Sequence, residues 1–151
     1  MSLAGKRIFV TGGSRGIGLA IALRAAADGA SVAIAAKTSE PNPKLPGTIH
    51  SAAEEIRAAG GTALPIQCDL RDENQIADAV AQAAKGFGGI DILINNAGVV
   101  FGGEFESLSL EKHLLTYKIN VDGVVAMTHL FFDDLKKSPK ANIVNLASAS
   151  G

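Results

Sequence analysis

Three glycines between an apolar run and a helix-like run are the residues of this sequence best suited to chemistry. Gly12, Gly16 and Gly18 follow residues 7–10 and precede residues 19–25. Glycine lets the backbone turn sharply and approach a ligand, and the first N–H groups of a helix attract anions. Gly12 would make the turn, Gly16 would admit a pyrophosphate, and Gly18 would let helix pack on strand. The segment predicts a phosphate-binding turn, with an ordinary glycine-rich turn as the alternative.

The spacing of these glycines separates the turn from other phosphate-binding motifs. It is G-x-x-x-G-x-G instead of G-x-G-x-x-G, and no Gly-Lys-Ser/Thr follows, which excludes a Walker P-loop. The run Thr-Gly-x-x-x-Gly-Ile-Gly over residues 11–18 resembles the short-chain dehydrogenase/reductase family. The resemblance spans the chain, and residues 37–55 look most like its hydroxysteroid-dehydrogenase-like branch. It implies a Rossmann-type doubly wound parallel sheet and a nicotinamide cofactor.

Length and composition limit the class of protein. The chain has 151 residues, 47% of them hydrophobic, and a net charge of −1, which fits one folded domain over residues 1–151. No basic field is present to hold nucleic acid or an anionic membrane, and no apolar stretch reaches membrane-spanning length. The single cysteine, Cys68, excludes an internal disulfide and a cysteine-based zinc cluster. We expect a cytoplasmic protein with no metal site, in which Cys68 is a small core residue.

Strand and helix signals alternate along the chain. After the first strand and helix, strands are predicted at residues 31–36, 62–68, 90–95 and 142–147, and helices at residues 51–59, 72–87 and 108–135. This alternation predicts an α/β fold with a parallel sheet, a central first strand and ligands at the carboxyl ends of the strands. The family sheet continues beyond five strands, so the resemblance implies a fold truncated after the fifth.

The end of the second strand indicates the choice of cofactor. An acid there would bind the adenosine ribose hydroxyls of NAD, but this chain has Ala36 and then Lys37. Arg15, in the glycine-rich turn, lies next to the same ribose in this fold. Two cations favour the 2′-phosphate of NADP, so NADP(H) is the preferred cofactor and NAD(H) the alternative. Residues 37–47, which carry three prolines, form either a functional loop or a tolerated surface insertion.

Polar residues also follow the third and fourth strands. The resemblance implies that Asp69 contacts the adenine ring with Leu70 beside it, although Asp69 could instead belong to the cap of the next helix. The fourth strand ends in the family's Asn-Asn-Ala-Gly element, which lines the cofactor ribose and braces the sheet. Its candidate cofactor-binding residues here are Asn95, Ala97 and Gly98.

The resemblance also implies part of a catalytic set. Asn120, an unfavourable residue for a helix interior, matches the asparagine whose amide helps hold a water in the proton relay. Ser148 matches the serine that binds the substrate carbonyl, with Ser150 as the alternative. The family's Tyr-x-x-x-Lys pair does not occur in residues 1–151, and Tyr117 cannot replace it because Val121 stands four residues on.

The sequence therefore predicts an NADP(H)-dependent oxidoreductase that moves a hydride between nicotinamide and a small-molecule carbonyl or secondary alcohol. We expect the 151 residues alone to be inactive, and we expect a homo-oligomer. The alternative is a nucleotide-binding or regulatory module without catalysis. The predicted site comprises Asn120 and Ser148 for catalysis and, for the cofactor, Gly12, Ser14, Arg15, Gly16, Ile17, Gly18, Lys37, Asp69, Leu70, Asn95, Ala97 and Gly98.

Overall fold

A five-stranded parallel sheet forms the centre of the molecule. The computed structural model describes residues 2–148, so the alternative serine, Ser150, lies outside the described residues. The strand order is β3-β2-β1-β4-β5, with β1 in the middle, as the alternating pattern predicts. The strands are β1 Arg7–Thr11, β2 Ser31–Ala36, β3 Thr62–Gln67, β4 Ile92–Asn95 and β5 Asn142–Asn145.

Helices cover both faces of the sheet. The helices α1 and α2 pack on one face, and α3 and α5 pack on the other. This arrangement confirms the predicted doubly wound fold. The helices are α1 Gly16–Ala27, α2 Ile49–Ala58, α3 Glu73–Phe87, α4 Leu110–Tyr117 and α5 Gly123–Lys137.

The central strand is apolar because both of its faces are buried. Ile8 and Val10 pack toward α1 and α2, whereas Phe9 packs toward α3 and α5 and lies 4.7 Å from the Phe131 ring, centroid to centroid. Neighbouring side chains of a strand point to opposite faces of the sheet. A strand whose two faces are both covered is therefore apolar throughout instead of alternating apolar and polar residues. Burying each of these side chains contributes about 1.5–3 kcal/mol to the free energy of unfolding. This burial fixes the position of β1 and of the turn that follows it.

The start of α2 differs from the prediction. The sequence predicts a cap at Ser51, but the N-cap is Thr48, whose Oγ1 accepts a hydrogen bond from Ser51 N at 3.1 Å. Ser51 Oγ returns the interaction by accepting one from Thr48 N at 2.9 Å. The helix starts earlier because the chain is fixed there by a hydrogen bond from Ile49 N to Thr38 O. Tertiary contact thus decided between two hydroxyl residues of similar capping preference.

The predicted long helix over residues 108–135 is interrupted. A π-helical turn, Lys118–Asp122, joins α4 to α5, and Gly123 N donates to Lys118 O, five residues earlier. Gly123 faces Leu70, which follows β3, and a β-carbon at Gly123 would lie 3.3 Å from Leu70 Cβ. The small residue therefore permits close packing beside the π-helical turn that contains Asn120.

Candidate functional site

The glycine-rich turn after β1 has the conformation that its composition predicts. Gly12 and Gly16 have φ angles of +67° and +56°, a region that disfavours residues with a β-carbon. Gly12 N donates to Ala35 O at 2.7 Å, which fixes the turn against the end of β2. A β-carbon at Gly16 would meet nothing within 4 Å, so the space beside this residue is open. Hydrogen bonding to β2 therefore fixes the turn at Gly12, while the space beside Gly16 is free for a ligand.

The start of α1 packs directly on this turn. A β-carbon at Gly18 would collide with Gly12 O and with Nδ2 of Asn96, so only glycine fits there without displacing the backbone. Ser14 is buried within the turn, whereas the side chain of Ile17 is 67% exposed. The first turn of α1 therefore lies against β1, with its unpaired N–H groups at the open side.

Thr11 and Asn96 fasten this turn to the end of β4, and Asn96 belongs to the Asn-Asn-Ala-Gly element that is expected to brace the sheet. The hydroxyl Oγ1 of Thr11 accepts hydrogen bonds from Asn96 N and Ala97 N, each at 3.0 Å. The Asn96 amide donates to Thr11 O at 2.9 Å and to Gly12 O at 3.2 Å. The sequence analysis did not name Thr11 as the partner, and a hydroxyl residue at the end of the neighbouring strand is the signal that could have predicted it.

A cavity of about 280 Å³ lies at the carboxyl ends of the strands. Cys68 lies on its wall, and burial raises the pKa of this thiol to about 11, which favours the thiol over the reactive thiolate at neutral pH. The cavity brings together six of the predicted cofactor-binding residues, Gly12, Lys37, Asp69, Leu70, Ala97 and Gly98.

Arg15 lies beneath the proline-rich loop, residues 37–47. It is the N-cap residue of α1, and its Nη2 donates to Gly47 O at 3.1 Å. Gly47 has φ +83°, and a β-carbon there would lie 2.8 Å from Ser14 O, so the loop packs closely on the glycine-rich turn. Nε of Arg15 is buried and has no hydrogen-bond partner among the described residues. Lys37, at the other end of the loop, is exposed and lines the cavity.

Asp69 is engaged by its neighbour Arg71. Asp69 Oδ1 accepts from Arg71 N at 3.0 Å and from Nε at 2.9 Å, and Oδ2 accepts from Nε at 3.0 Å and from Nη2. Hydrogen bonding to Arg71 lowers the pKa of Asp69. The N-cap of α3 is Asp72, which accepts from Asn74 N at 2.9 Å, so the cap is not formed by Asp69.

Asn95 connects the last two strands. Its Nδ2 donates to Asn145 Oδ1 at 2.8 Å and to Thr128 Oγ1 at 3.4 Å. Its Oδ1 is buried without a hydrogen-bond partner in the part of the chain that the structure describes. Asn95 thus lies behind the strand end and does not line the cavity that Ala97 and Gly98 line.

The two predicted catalytic residues lie at the same edge of the sheet. Oδ1 of Asn120 accepts from Val99 N at 2.9 Å, and Nδ2 donates to Val99 O at 2.8 Å. The amide therefore holds the loop after β4, and each of its two atoms retains one further hydrogen-bonding position. Ser148 is exposed and follows the end of β5 by three residues. Tyr117 is exposed on α4.

Neither a membrane-spanning helix nor a metal cluster occurs within residues 2–148. No helix in this range is long and apolar enough to cross a membrane. The same range contains no group of three or more histidine, cysteine or carboxylate side chains placed to hold a metal ion.

Solved structures with this fold include dehydrogenases and reductases. A short-chain dehydrogenase from Mycobacterium thermoresistibile is 49% identical, with a TM-score of 0.94 over 99% of this chain and 54% of the other. An NADH-dependent reductase solved with NAD is 28% identical, with a TM-score of 0.86 over 97% of this chain and 61% of the other.

The sequence comparisons give the same result. Hydroxysteroid dehydrogenase-like protein 2 from Xenopus laevis is 53% identical over 145 residues, which are 96% of this chain. The chain spans 35% of that relative's length. The family model described as short chain dehydrogenase matches residues 6–151. The chain belongs to the short-chain dehydrogenase family.

Proposed function

We propose that the chain forms the cofactor-binding part of an NADP(H)-dependent oxidoreductase acting on a small-molecule carbonyl or secondary alcohol. The observation that carries this proposal is the cavity at the carboxyl ends of the strands, with the glycine-rich turn on one side and Lys37 at the end of β2. In open α/β sheets, ligands bind at this edge, where the strand order reverses. Here the order reverses between β1 and β4.

The glycine-rich turn suits the pyrophosphate of a dinucleotide. Its backbone is fixed by the hydrogen bond from Gly12 N to Ala35 O and by the hydrogen bonds between Thr11 and Asn96. The space beside Gly16 is open. The N–H groups at the start of α1, together with the helix dipole, would hold the negative charge. When bound, the nicotinamide ring supplies or accepts the hydride, and the residues of this chain hold it in place.

Arg15 and Lys37 support the choice of NADP(H). The hydrogen bond from Nη2 to Gly47 O holds the Arg15 guanidinium beside the glycine-rich turn, where its charge would attract a phosphate. Lys37 is exposed where an acid would favour NAD. The NADH-dependent reductase shares the fold, but the fold does not determine the choice between NADP(H) and NAD(H). Side chains at the end of β2 determine that choice.

For catalysis we propose roles for Asn120 and Ser148. Asn120 would keep the loop after β4 in register through Val99 and use its remaining donor or acceptor position to hold a water of the proton relay. The Ser148 hydroxyl would donate a hydrogen bond to the substrate oxygen, where negative charge develops during carbonyl reduction.

Calorimetric titration with NADPH and NADH at fixed salt tests the cofactor proposal. We expect tighter binding of NADPH, and Lys37→Asp should weaken NADPH binding selectively by about 1.5–3 kcal/mol if Lys37 contacts the phosphate. Lys140→Asp is the matched control, because Lys140 is exposed near the amino end of β5, away from the cavity.

Equal affinities for the two cofactors, or tighter NADH, would contradict the NADP(H) proposal. Tight NADPH binding by the full-length protein without hydride transfer to any carbonyl in a broad panel would favour the non-catalytic nucleotide-binding module.

We also propose that a second copy of the chain covers the exposed face of α4 and α5. The face is apolar at helical spacing, and a net charge of −1 gives little repulsion between copies. Sedimentation velocity should show a dimer or larger assembly that Val125→Lys disrupts and that the control Leu45→Lys, on the proline-rich loop, leaves intact. The residues of the face are Leu110, Leu114, Tyr117, Val121, Val125 and Phe132.

A further inference from the structure

The end of the proline-rich loop contacts the glycine-rich turn directly. Gly47 O accepts a hydrogen bond from Arg15 Nη2 at 3.1 Å. A β-carbon at Gly47 would lie 2.8 Å from Ser14 O, which is a backbone atom and cannot rotate away. Gly47 also has a φ angle of +83°, a region that disfavours residues with a β-carbon. Glycine at position 47 therefore permits the close approach that brings its carbonyl to Arg15.

The position of this carbonyl is fixed from the side of α2. Thr48, the next residue, is buried and is the N-cap of α2, where it forms reciprocal hydrogen bonds with Ser51. Ile49 follows and is 2% exposed, so the first turn of the helix is anchored in the core. Gly47 O is thus presented to Arg15 by an anchored helix end.

The same region brings together the two cations of the proposed cofactor site. Ile49 N donates to Thr38 O at 3.0 Å, which closes the base of the loop. Lys37 is the residue before Thr38, at the end of β2. Gly47, which holds Arg15, lies two residues before Ile49. The base of the loop therefore places Lys37 and the Arg15 guanidinium in one region.

Fixing an arginine in advance strengthens its hydrogen bonds to a ligand. A long side chain loses rotamer entropy when a ligand immobilises it, and a side chain that is already held loses less. The Arg15 guanidinium has five N–H donors, and Gly47 O accepts from one of its nitrogens, so donors remain for phosphate oxygens. Gly47 would therefore raise the affinity for a phosphate that it does not touch.

We propose that Gly47 is a positioning residue for the 2′-phosphate of NADP(H), and that it acts by holding the Arg15 guanidinium beside the glycine-rich turn. The inference rests on the proposed function and adds to it a backbone carbonyl of the proline-rich loop. It gives the end of this loop a role in cofactor selectivity. NADH lacks the 2′-phosphate, so NADH binding should not depend on Gly47.

Calorimetric titration of the full-length protein with NADPH and NADH tests this role. Gly47→Ala should move the loop away from Ser14 O and release Arg15. NADPH affinity should then fall about tenfold, while NADH affinity changes by less than about threefold. Gly60→Ala is the matched control, because Gly60 has φ +96° but a β-carbon there meets nothing within 4 Å. It should leave the ratio of the two affinities unchanged.

A double-mutant cycle shows whether Gly47 acts through Arg15. Arg15→Ala should itself lower the preference for NADPH, and adding Gly47→Ala to that variant should change the ratio no further. Pro46→Gly is a milder second variant, because it adds chain freedom just before Gly47 without a clash. It should lower the ratio by a smaller factor, and it decides the outcome if circular dichroism shows that Gly47→Ala does not fold.

Different results overturn different parts of the proposal. If the unmodified protein prefers NADPH but Gly47→Ala keeps that preference, or lowers it equally in the Arg15→Ala background, the positioning role fails while the proposed function stands. An unchanged ratio in Pro46→Gly has the same meaning where Gly47→Ala does not fold. If neither NADPH nor NADH binds to the unmodified protein, the proposed function fails and the positioning role with it.

Discussion

Two aspartate–arginine pairs of similar local geometry lie at opposite ends of the sheet. At the amino ends of the strands, the Asp91 side chain is 8% exposed and accepts from Arg7 N, Nε and Nη2 at 2.9, 3.1 and 2.9 Å. At the carboxyl ends, the Asp69 side chain is 17% exposed and accepts from the same three groups of Arg71. Both aspartates have a lowered pKa because of their arginine.

The pairs differ in what they connect. Arg7 and Asp91 are 84 residues apart, Ser138 Oγ donates to Asp91 at 2.7 Å, and Arg7 Nη1 donates to Gly88 O at 2.9 Å. This cluster joins β1, the end of α3, the start of β4 and the end of α5. The pair of Asp69 and Arg71 spans two residues and lies within one loop. We conclude that the pair of Arg7 and Asp91 stabilises the fold, whereas the pair of Asp69 and Arg71 lies within one loop that lines the cavity.

The largest expected effect comes from Asp91→Ala. Removing one partner of a largely buried ion pair leaves the Arg7 guanidinium and the Ser138 hydroxyl without their acceptor, and should cost about 3–5 kcal/mol of stability. Urea unfolding followed by circular dichroism measures the change. A loss below about 1 kcal/mol would contradict the structural role of the cluster.

Acid should remove part of the same stabilisation. The folded-state pKa of Asp91 lies well below its usual range because Arg7 donates hydrogen bonds to the ionised form. The unfolded state therefore binds more protons between the two pKa values, and stability falls as pH drops below about 5. Asp91→Asn should have a shallower decline of unfolding free energy between about pH 5 and pH 3. An unchanged slope would show that another carboxylate dominates.

Ser138→Ala should have an intermediate effect. The Ser138 hydroxyl is buried and donates to a charged acceptor, so its loss should cost about 1–3 kcal/mol. Ser107→Ala serves as the control in the same unfolding assay, because the Ser107 hydroxyl is exposed and donates only to the nearby Glu104 O. Equal losses in the two variants would argue against a special role for the buried hydroxyl.

Asp69→Ala should have the smallest effect on stability. Its partner is exposed and local, and such pairs contribute about 0–1 kcal/mol. The same unfolding assay checks this, with Asp91→Ala as the reference. If Asp69→Ala destabilised the protein as much as Asp91→Ala, the contrast between a fold-stabilising pair and a site pair would be wrong.

Local signals in the sequence were sufficient for most elements of the fold. The glycines at positions 12, 16 and 18, the apolar run of β1 and the cap at Asp72 depend on residues within one turn or strand. Their geometry follows from backbone sterics and from helix ends that need hydrogen-bond partners. The alternation of strands and helices then restricted the topology to a parallel sheet with β1 in the centre.

Tertiary structure decided where two local solutions competed or where partners were distant. The N-cap of α2 is Thr48 instead of the predicted Ser51, because a backbone hydrogen bond from Ile49 N to Thr38 O fixes the chain at that point. The Asn120 amide, which the sequence predicts by resemblance to hold a water of the proton relay, pairs with the backbone of Val99. Asn120 lies in the π-helical turn, which interrupts the helix that the sequence predicts over residues 108–135.

The sequence by itself determined the class of fold and the kind of turn that starts α1, since both follow from residue types at short spacing. Only the tertiary structure decided which charges meet. Asp91 lies between two apolar residues of a predicted strand, so its carboxylate is expected to be buried and to need a cation as partner. The sequence does not identify that cation. The pairing of β1 with β4 brings Arg7 to Asp91 from 84 positions away, and the packing of α5 on the sheet brings Ser138 to it from 47 positions away.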